Sequence, residues 1–224
     1  MDRREISIMI IGICGNIGAG KSSLTSLLER VQGFTPVYEA VDENPFLKDF
    51  YSDMKRWAFH SQLFFLIKRF DFLKRVEDEG KIIIQDRTIY EDVEIFAKNL
   101  HLMGYIDERD WRLYRDTFYT LSDHLKAPTG MIYIKCSVPT LIERIKMRGR
   151  GYESNIEPEY LQRLNSLYDT WFESYTASEK LVINGDTHDF IASKKDQQIV
   201  LKDISDFVKK LSAGVQSSLF NGEP

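Results

Sequence analysis

Residues 15–22 read Gly15-Asn16-Ile17-Gly18-Ala19-Gly20-Lys21-Ser22, GNIGAGKS, between an apolar run that ends at Cys14 and a helical pattern that opens at Lys21. The stretch fits G-x-x-x-x-G-K-[ST], and each residue type in that pattern has a mechanical reason. Glycines at 15, 18 and 20 let the backbone turn tightly enough to aim successive N–H groups inward, and the helix that follows presents its positive end to the same point. Such a cradle holds phosphate oxygens. Lys21 would reach the β- and γ-phosphates of a nucleotide, and the Ser22 hydroxyl would ligate Mg²⁺, a hard cation that takes oxygen ligands. A chance glycine turn needs neither a strand before it nor a helix after it, and both signals are present. The nucleotide-binding stretch is taken as Gly15 to Ser23.

Outward from this loop, strand and helix signals alternate. Ser7 to Cys14 is a nearly continuous apolar run, the mark of a strand covered on both faces. Lys21 to Val31 reads as a helix with Gly33 as its stop. Thr35 to Tyr38 is a short second strand, Asn44-Pro45 a break, and Phe46 to Tyr51 a short helix. A long helix is predicted from Ala58 to Glu79, ended by Gly80. Lys81 to Gln85 is a third strand. Tyr90 to Asn99 and Asp107 to Leu125 read as helices, Gly130 to Cys136 as a fourth strand, and Pro139 to Met147 as a helix with proline at its start. A basic, glycine-containing loop from Arg148 to Asn155 precedes a helix from Pro158 to Tyr175. Leu181 to Asn184 is a fifth strand and Gln197 to Leu211 a last helix. Residues 1–211 thus form one domain, and the polar end from Ser212 to Pro224 is expected to be a flexible tail.

This alternation predicts an α/β fold: a doubly wound, five-stranded parallel sheet with helices on both faces. Ligands of such sheets sit beyond the carboxyl ends of the strands. That rule brings the glycine loop, Glu39 after the second strand and Asp86-Arg87 after the third into one cleft.

Composition bounds the function without choosing it. The chain has 224 residues, 43% hydrophobic and 29% charged, which suits one α/β domain with a sizeable core. A net charge of -4 disfavours a surface for polymeric nucleic acid. Cys14 and Cys136 lie in apolar runs and read as buried free thiols rather than a disulfide. There is neither a secretory pattern nor an apolar run long enough to span a bilayer, so a cytoplasmic protein without membrane partners is the expectation.

Each candidate side chain has a bland alternative. A loop glutamate such as Glu39 is usually a solvated acid. Asp86 directly follows an apolar strand, where a carboxylate supports Mg²⁺ in P-loop phosphotransferases. Arg144, Arg148 and Arg150 could be a wet basic face shared with Lys146; their place around a glycine-containing loop between two helices suggests instead a lid over a transferred phosphate. On the long helix, Gln62 and Arg69 interrupt an apolar stripe about 10.5 Å apart, close enough for both to reach one planar ligand. Trp57, Phe59, Phe64 and Phe70 read as core, and His60, His101, His124 and His188 lack metal-ligand spacing.

Taken together, the motifs resemble the deoxyribonucleoside kinase family, particularly its bacterial deoxyadenosine and deoxyguanosine kinases. The resemblance runs from the glycine loop to about Tyr175 and rests on GNIGAGKS, VDENPFL beyond Glu39, FYSDMKRWAFHSQ, QDRTIYED and RIKMRGRGYES, in that order. It implies the P-loop kinase fold with an arginine-rich lid, and Mg²⁺-dependent transfer from ATP to the 5′-hydroxyl of a deoxyribonucleoside in nucleotide salvage. It further implies that Glu39 accepts the 5′-hydroxyl proton and Arg87 holds both. Tyr51 and Glu153 would bind the 3′-hydroxyl. Gln62, Arg69 and Asp92 would meet the base edge, and Arg144, Arg148 and Arg150 would form the lid. Deoxyadenosine is the favoured acceptor, with deoxyguanosine or deoxycytidine as alternatives and thymidine poor, because thymine offers no exocyclic amine. A homodimer and inhibition by the end-product triphosphate are also implied. Two positions depart from the family's habit: Ala40 replaces a common proline after the catalytic acid, and Asp86 stands where many members carry Glu.

Two other readings compete. Thymidylate and other nucleoside monophosphate kinases share the loop, sheet and lid, but an acceptor phosphate needs cations where Glu39 offers an anion. A non-enzymatic nucleotide switch would need an Asn-Lys-x-Asp base-reading motif, which the chain lacks, and would leave Glu39 and Arg87 without a purpose.

Overall fold

A computed structural model describes residues 9–75, 81–153 and 156–220 of the chain, with side chains as far as residue 214. In chain order the elements are β1 (Met9–Cys14), α1 (Lys21–Gln32), β2 (Thr35–Val37), α2 (Leu47–Ser52), α3 (Met54–Arg75), β3 (Ile82–Asp86), α4 (Ile89–Glu91), a π-helical segment (Asp92–Ala97), α5 (Lys98–Leu102) and α6 (Glu108–Ser122). They continue with β4 (Gly130–Lys135), α7 (Val138–Arg148), a 3₁₀ turn (Gly151–Glu153), α8 (Pro158–Ser174), β5 (Glu179–Asn184) and α9 (Lys194–Phe220). The sheet is five-stranded and parallel throughout, in the order β2-β3-β1-β4-β5.

β1 sits at the centre because its sequence, MIIGIC, leaves no polar face; all six residues are buried. A strand walled on both sides can bury every residue only when helices cover both faces. Gly12 permits that closeness, since a Cβ there would lie 2.5 Å from Thr88 Cγ2. The register pairs Ile13 with Asp86 and Cys14 with Tyr133, so the carboxyl ends of β1, β3 and β4 finish side by side. From that edge spring the glycine loop, the Asp86-Arg87 pair and the approach to the lid.

Element boundaries differ from the sequence expectation in instructive places. α3 begins at Met54, not Ala58, because the Asp53 carboxylate accepts a hydrogen bond from the Arg56 N–H (3.1 Å) and stabilises an earlier first turn. Its predicted end at Glu79 and the Gly80 stop fall outside the described residues. The predicted helix from Tyr90 to Asn99 starts at Ile89 and carries a π-helical turn through Asp92–Ala97. The segment from Ser212, expected to be a loose tail, is helical as far as Phe220, so α9 crosses the expected domain edge at Leu211. It contains no proline, and extending an existing helix costs far less than starting one. Residues 221–224 lie outside the described residues.

Candidate active site

The three loop glycines adopt φ of 149°, 84° and 99° at Gly15, Gly18 and Gly20. A Cβ on Gly15 would meet Ile134 O at 2.8 Å, and one on Gly18 would meet Leu141 O at 2.9 Å, so neither position admits a side chain. Lys21 folds back over the loop and donates to Gly15 O (2.9 Å) and Asn16 O (3.2 Å). Burial, seconded by Arg87, holds its ammonium below the ordinary lysine pKa. Asn16 serves the loop itself: it donates to Leu161 O (2.9 Å) and Asn165 Oδ1 (2.7 Å) and accepts from the Ile17 N–H (2.7 Å).

Beyond β3 the chain is strained. Arg87 has φ of 68°, the left-handed region, and is the only non-glycine residue there among those described. Several contacts hold it: its N–H donates to Ile13 O (3.0 Å), its carbonyl accepts from Arg69 Nη1 (2.8 Å), and its guanidinium lies 3.8 Å over the Phe96 ring. The reward is position. Arg87 Nη1 meets Glu39 Oε1 at 2.7 Å, with Arg69 Nη2 3.6 Å from the same oxygen. Burial pushes the Glu39 carboxyl up, but Arg87, Arg69 and Lys21 together hold it below its ordinary value, so it is ionised.

Arg69 and Asp92 form a bidentate pair, Nε to Oδ2 at 2.7 Å and Nη2 to Oδ1 at 3.2 Å. Ser22 Oγ donates to Asp86 Oδ2 at 2.5 Å, while Asp86 Oδ1 is buried and accepts no hydrogen bond. A buried carboxylate oxygen without a donor, beside a serine hydroxyl at the phosphate cradle, is what a Mg²⁺ ion or its water shell would require. The described residues include no cluster of three or more His, Cys, Asp or Glu able to hold a metal by themselves.

Across the cleft, Arg148 donates through Nε (3.1 Å) and Nη2 (2.5 Å) to Glu153 Oε2, and Arg150 Nη1 lies 3.6 Å from Glu153 Oε1. Arg144 is placed differently. Its guanidinium donates to Ala19 O (3.0 Å) and Gly185 O (2.7 Å), bolting the glycine loop to the turn after β5. Tyr51 stacks on Tyr152 of the lid at 5.4 Å between ring centroids.

These groups surround one cavity of about 480 Å³. Ile17, Gly18, Gly20, Lys21, Ser22 and Ser23 line its donor end; Glu39, Tyr51, Gln62, Asp86 and Arg87 line the other; Arg144, Arg148, Arg150 and Glu153 close over it. Of the residues singled out in the sequence, Gly15, Asn16, Ala19, Arg69 and Asp92 do not reach this wall. The first three shape the loop, and the Arg69–Asp92 pair is buried behind it. Sequence reasoning missed the apolar wall, above all Phe50, Phe65, Phe96 and Tyr160. No motif marks such residues, since a wall aromatic and a core aromatic have the same periodicity. It also missed Glu91, although Thr88-x-x-Glu91 has the spacing of a capping box.

A sequence model of the deoxynucleoside kinase family matches residues 11–209. The chain belongs to the deoxynucleoside kinase family. It is 39% identical to a deoxyguanosine kinase of Lactobacillus acidophilus, over 90% of this chain and 92% of that one. It is 37% identical to a deoxyadenosine kinase of the same organism, over 91% and 98%. A solved deoxyadenosine kinase from M. mycoides with bound dATP superposes with a TM-score of 0.77 at 29% identity, covering 88% of this chain and 99% of that one. Membership in the deoxynucleoside kinase family makes the chain an enzyme of the transferase class that phosphorylates deoxynucleosides, with the P-loop fold of its solved relatives. No described helix is long and apolar enough to cross a membrane.

Proposed function

We propose that the protein transfers the γ-phosphoryl group of ATP to the 5′-hydroxyl of a purine deoxyribonucleoside, with deoxyadenosine as preferred acceptor. The observation that carries this reading is the ionised Glu39, paired with Arg87 at 2.7 Å, facing the same cavity as Lys21 and Ser22. An anion at the acceptor end suits a neutral hydroxyl and repels a monophosphate. Phosphoryl transfer depends chiefly on alignment and charge neutralisation. In this site the loop N–H groups and Lys21 would hold the phosphates. Glu39 would take the 5′-hydroxyl proton, and Arg87 would orient both the carboxylate and the hydroxyl. Tyr51 and Glu153 would fix the sugar through its 3′-hydroxyl. Arg148 and Arg150 would turn from Glu153 toward the transferred group, where guanidinium forks match its oxygens. Ser22 and Asp86 would hold Mg²⁺, which supplies charge neutralisation on the phosphates.

Base preference follows from position. Of the three polar candidates only Gln62 lines the cavity, and its amide can pair bidentately with adenine. Arg69 and Asp92 would act from behind, by fixing the wall that the base meets. Similarity to deoxyguanosine and deoxyadenosine kinases supports a purine. The test is acceptor-dependent formation of ADP over the four natural deoxynucleosides with Mg²⁺ and ATP. Deoxyadenosine should give the highest kcat/KM and thymidine the lowest; thymidine in first place, or ADP formation indifferent to any acceptor, overturns the reading.

A further inference from the structure

Glu91 is fully buried and takes no part in the scheme above. Its two oxygens accept four hydrogen bonds: Oε1 from the Gly15 N–H (3.3 Å) and the Tyr168 hydroxyl (2.8 Å), Oε2 from the Thr88 N–H (2.6 Å) and the Thr88 hydroxyl (3.2 Å). Two of these donors are backbone N–H groups, one on each oxygen, so both oxygens must accept, while burial pushes the carboxyl above its ordinary pKa. Among the described residues no cation forms an ion pair with it; Arg87 and Lys21 balance its charge from a distance. An unpaired carboxylate at complete burial is costly, and its donors must supply the compensation.

The ordinary explanation is a capping box, in which Thr88 and Glu91 satisfy the start of α4. Of the four contacts that motif needs only the one from the Thr88 N–H. Two of the other donors come from 76 residues and 77 residues away in the chain, from the glycine loop and from the middle of α8. Each contact lands on a piece of the transfer machinery. The Gly15 N–H belongs to the residue whose carbonyl Lys21 holds, so Glu91 and Lys21 grip the first loop glycine from its two sides. The Thr88 N–H belongs to the peptide that leaves the strained Arg87, so its orientation sets where the Arg87 guanidinium meets Glu39. Tyr168 stands on the helix that follows the lid.

We propose that Glu91 is a positioning residue whose two buried oxygens hold the phosphate-binding loop and the Glu39–Arg87 pair in register, with Tyr168 orienting it. The inference rests on the proposed transfer reaction. It adds a second link between the two ends of one cavity, beside the Ser22–Asp86 hydrogen bond.

The test compares the full-length wild-type protein with Glu91→Gln and Tyr168→Phe. Nucleoside binding is measured by calorimetry, which gives both Kd and the fraction of competent sites, and turnover is expressed per competent site. Glu91→Gln replaces one acceptor by an amide NH₂ that faces a donor. It should lower turnover per site about a hundredfold, the order expected for a displacement near 1 Å, while nucleoside Kd changes by less than about threefold. A residue needed only for folding would lower the competent fraction and leave turnover per site intact. Turnover per site within about threefold of wild type, or a Kd that weakens in step with turnover, overturns the inference. If Glu91→Gln yields no folded protein, Tyr168→Phe decides by the same measure, with an expected loss of about fivefold and the same overturning results. A wild type that shows no acceptor-dependent turnover would instead defeat the proposed reaction itself.

Discussion

Arg69 and Arg87 on one side of the cavity, and Arg148 and Arg150 on the other, all meet carboxylates, yet the two groups are held by different means. On the acceptor side the side chains of Arg69, Arg87, Glu39 and Asp92 are 5%, 8%, 11% and 1% exposed. They come from α3, from just beyond β3, from the loop after β2 and from the π-helical turn, and the Asp86 and Arg87 carbonyls accept from Arg69 Nη1. On the lid side Arg148 and Arg150 are each 34% exposed and share one carboxylate, Glu153, within a few residues of chain. A dry network assembled from four elements is costly to break, because any survivor is left charged without a partner. The lid arginines reach solvent although Glu153 is buried, and each can leave while the other still faces that carboxylate. On the proposed reaction, the acceptor side would stay in place and Arg148 and Arg150 would exchange Glu153 for the oxygens of a substrate.

The sharpest way to break this comparison is at Glu39. Glu39→Gln keeps the shape and removes the charge; turnover should fall at least about a hundredfold in the folded variant while nucleoside still binds. Steady-state kinetics beside calorimetric binding would show it, and unchanged turnover would remove Glu39 from the reaction. A second change tests dryness. Asp92→Ala strands the Arg69 guanidinium and should cost about 3–5 kcal/mol in denaturant unfolding. Adding Arg69→Met should recover much of that loss and raise the thymidine to deoxyadenosine ratio of kcat/KM. An equal ratio before and after would place base selection outside the pair. The smallest effect belongs to the lid. Arg148→Met should lower turnover roughly tenfold yet cost less unfolding free energy than Asp92→Ala, because Arg150 still faces the buried Glu153 carboxylate. A larger loss of stability would mean that the lid is as much a fixed part of the fold as the acceptor side.

Much of this was readable along the chain. GNIGAGKS is a local device, eight consecutive residues whose backbone makes the cradle, and the structure keeps its strand, loop and helix where the spacing puts them. The lid is also local, since Arg148, Arg150 and Glu153 meet through one short turn. α3 starts earlier than the apolar stripe suggests because of the cap at Asp53, and α9 runs past Leu211 through Gly214 with no proline to stop it. Resemblance sets Arg69 and Asp92 at the base edge; the pairing of their side chains with each other, Nε to Oδ2 at 2.7 Å, is a tertiary fact that no spacing along the chain shows.

Local periodicity and the order of turn residues were enough for the alternating elements, the parallel sheet and the phosphate loop, because hydrogen bonding within a helix and burial of a strand's two faces act over a few residues. Tertiary structure alone decided which side chains share a cavity. The strand order β2-β3-β1-β4-β5 sets residues 39, 69, 87 and 92 around one charge cluster and residues 15, 88 and 168 around Glu91. Those meetings depend on register and crossover between distant segments, and a buried charge is stable only where all of its partners arrive together.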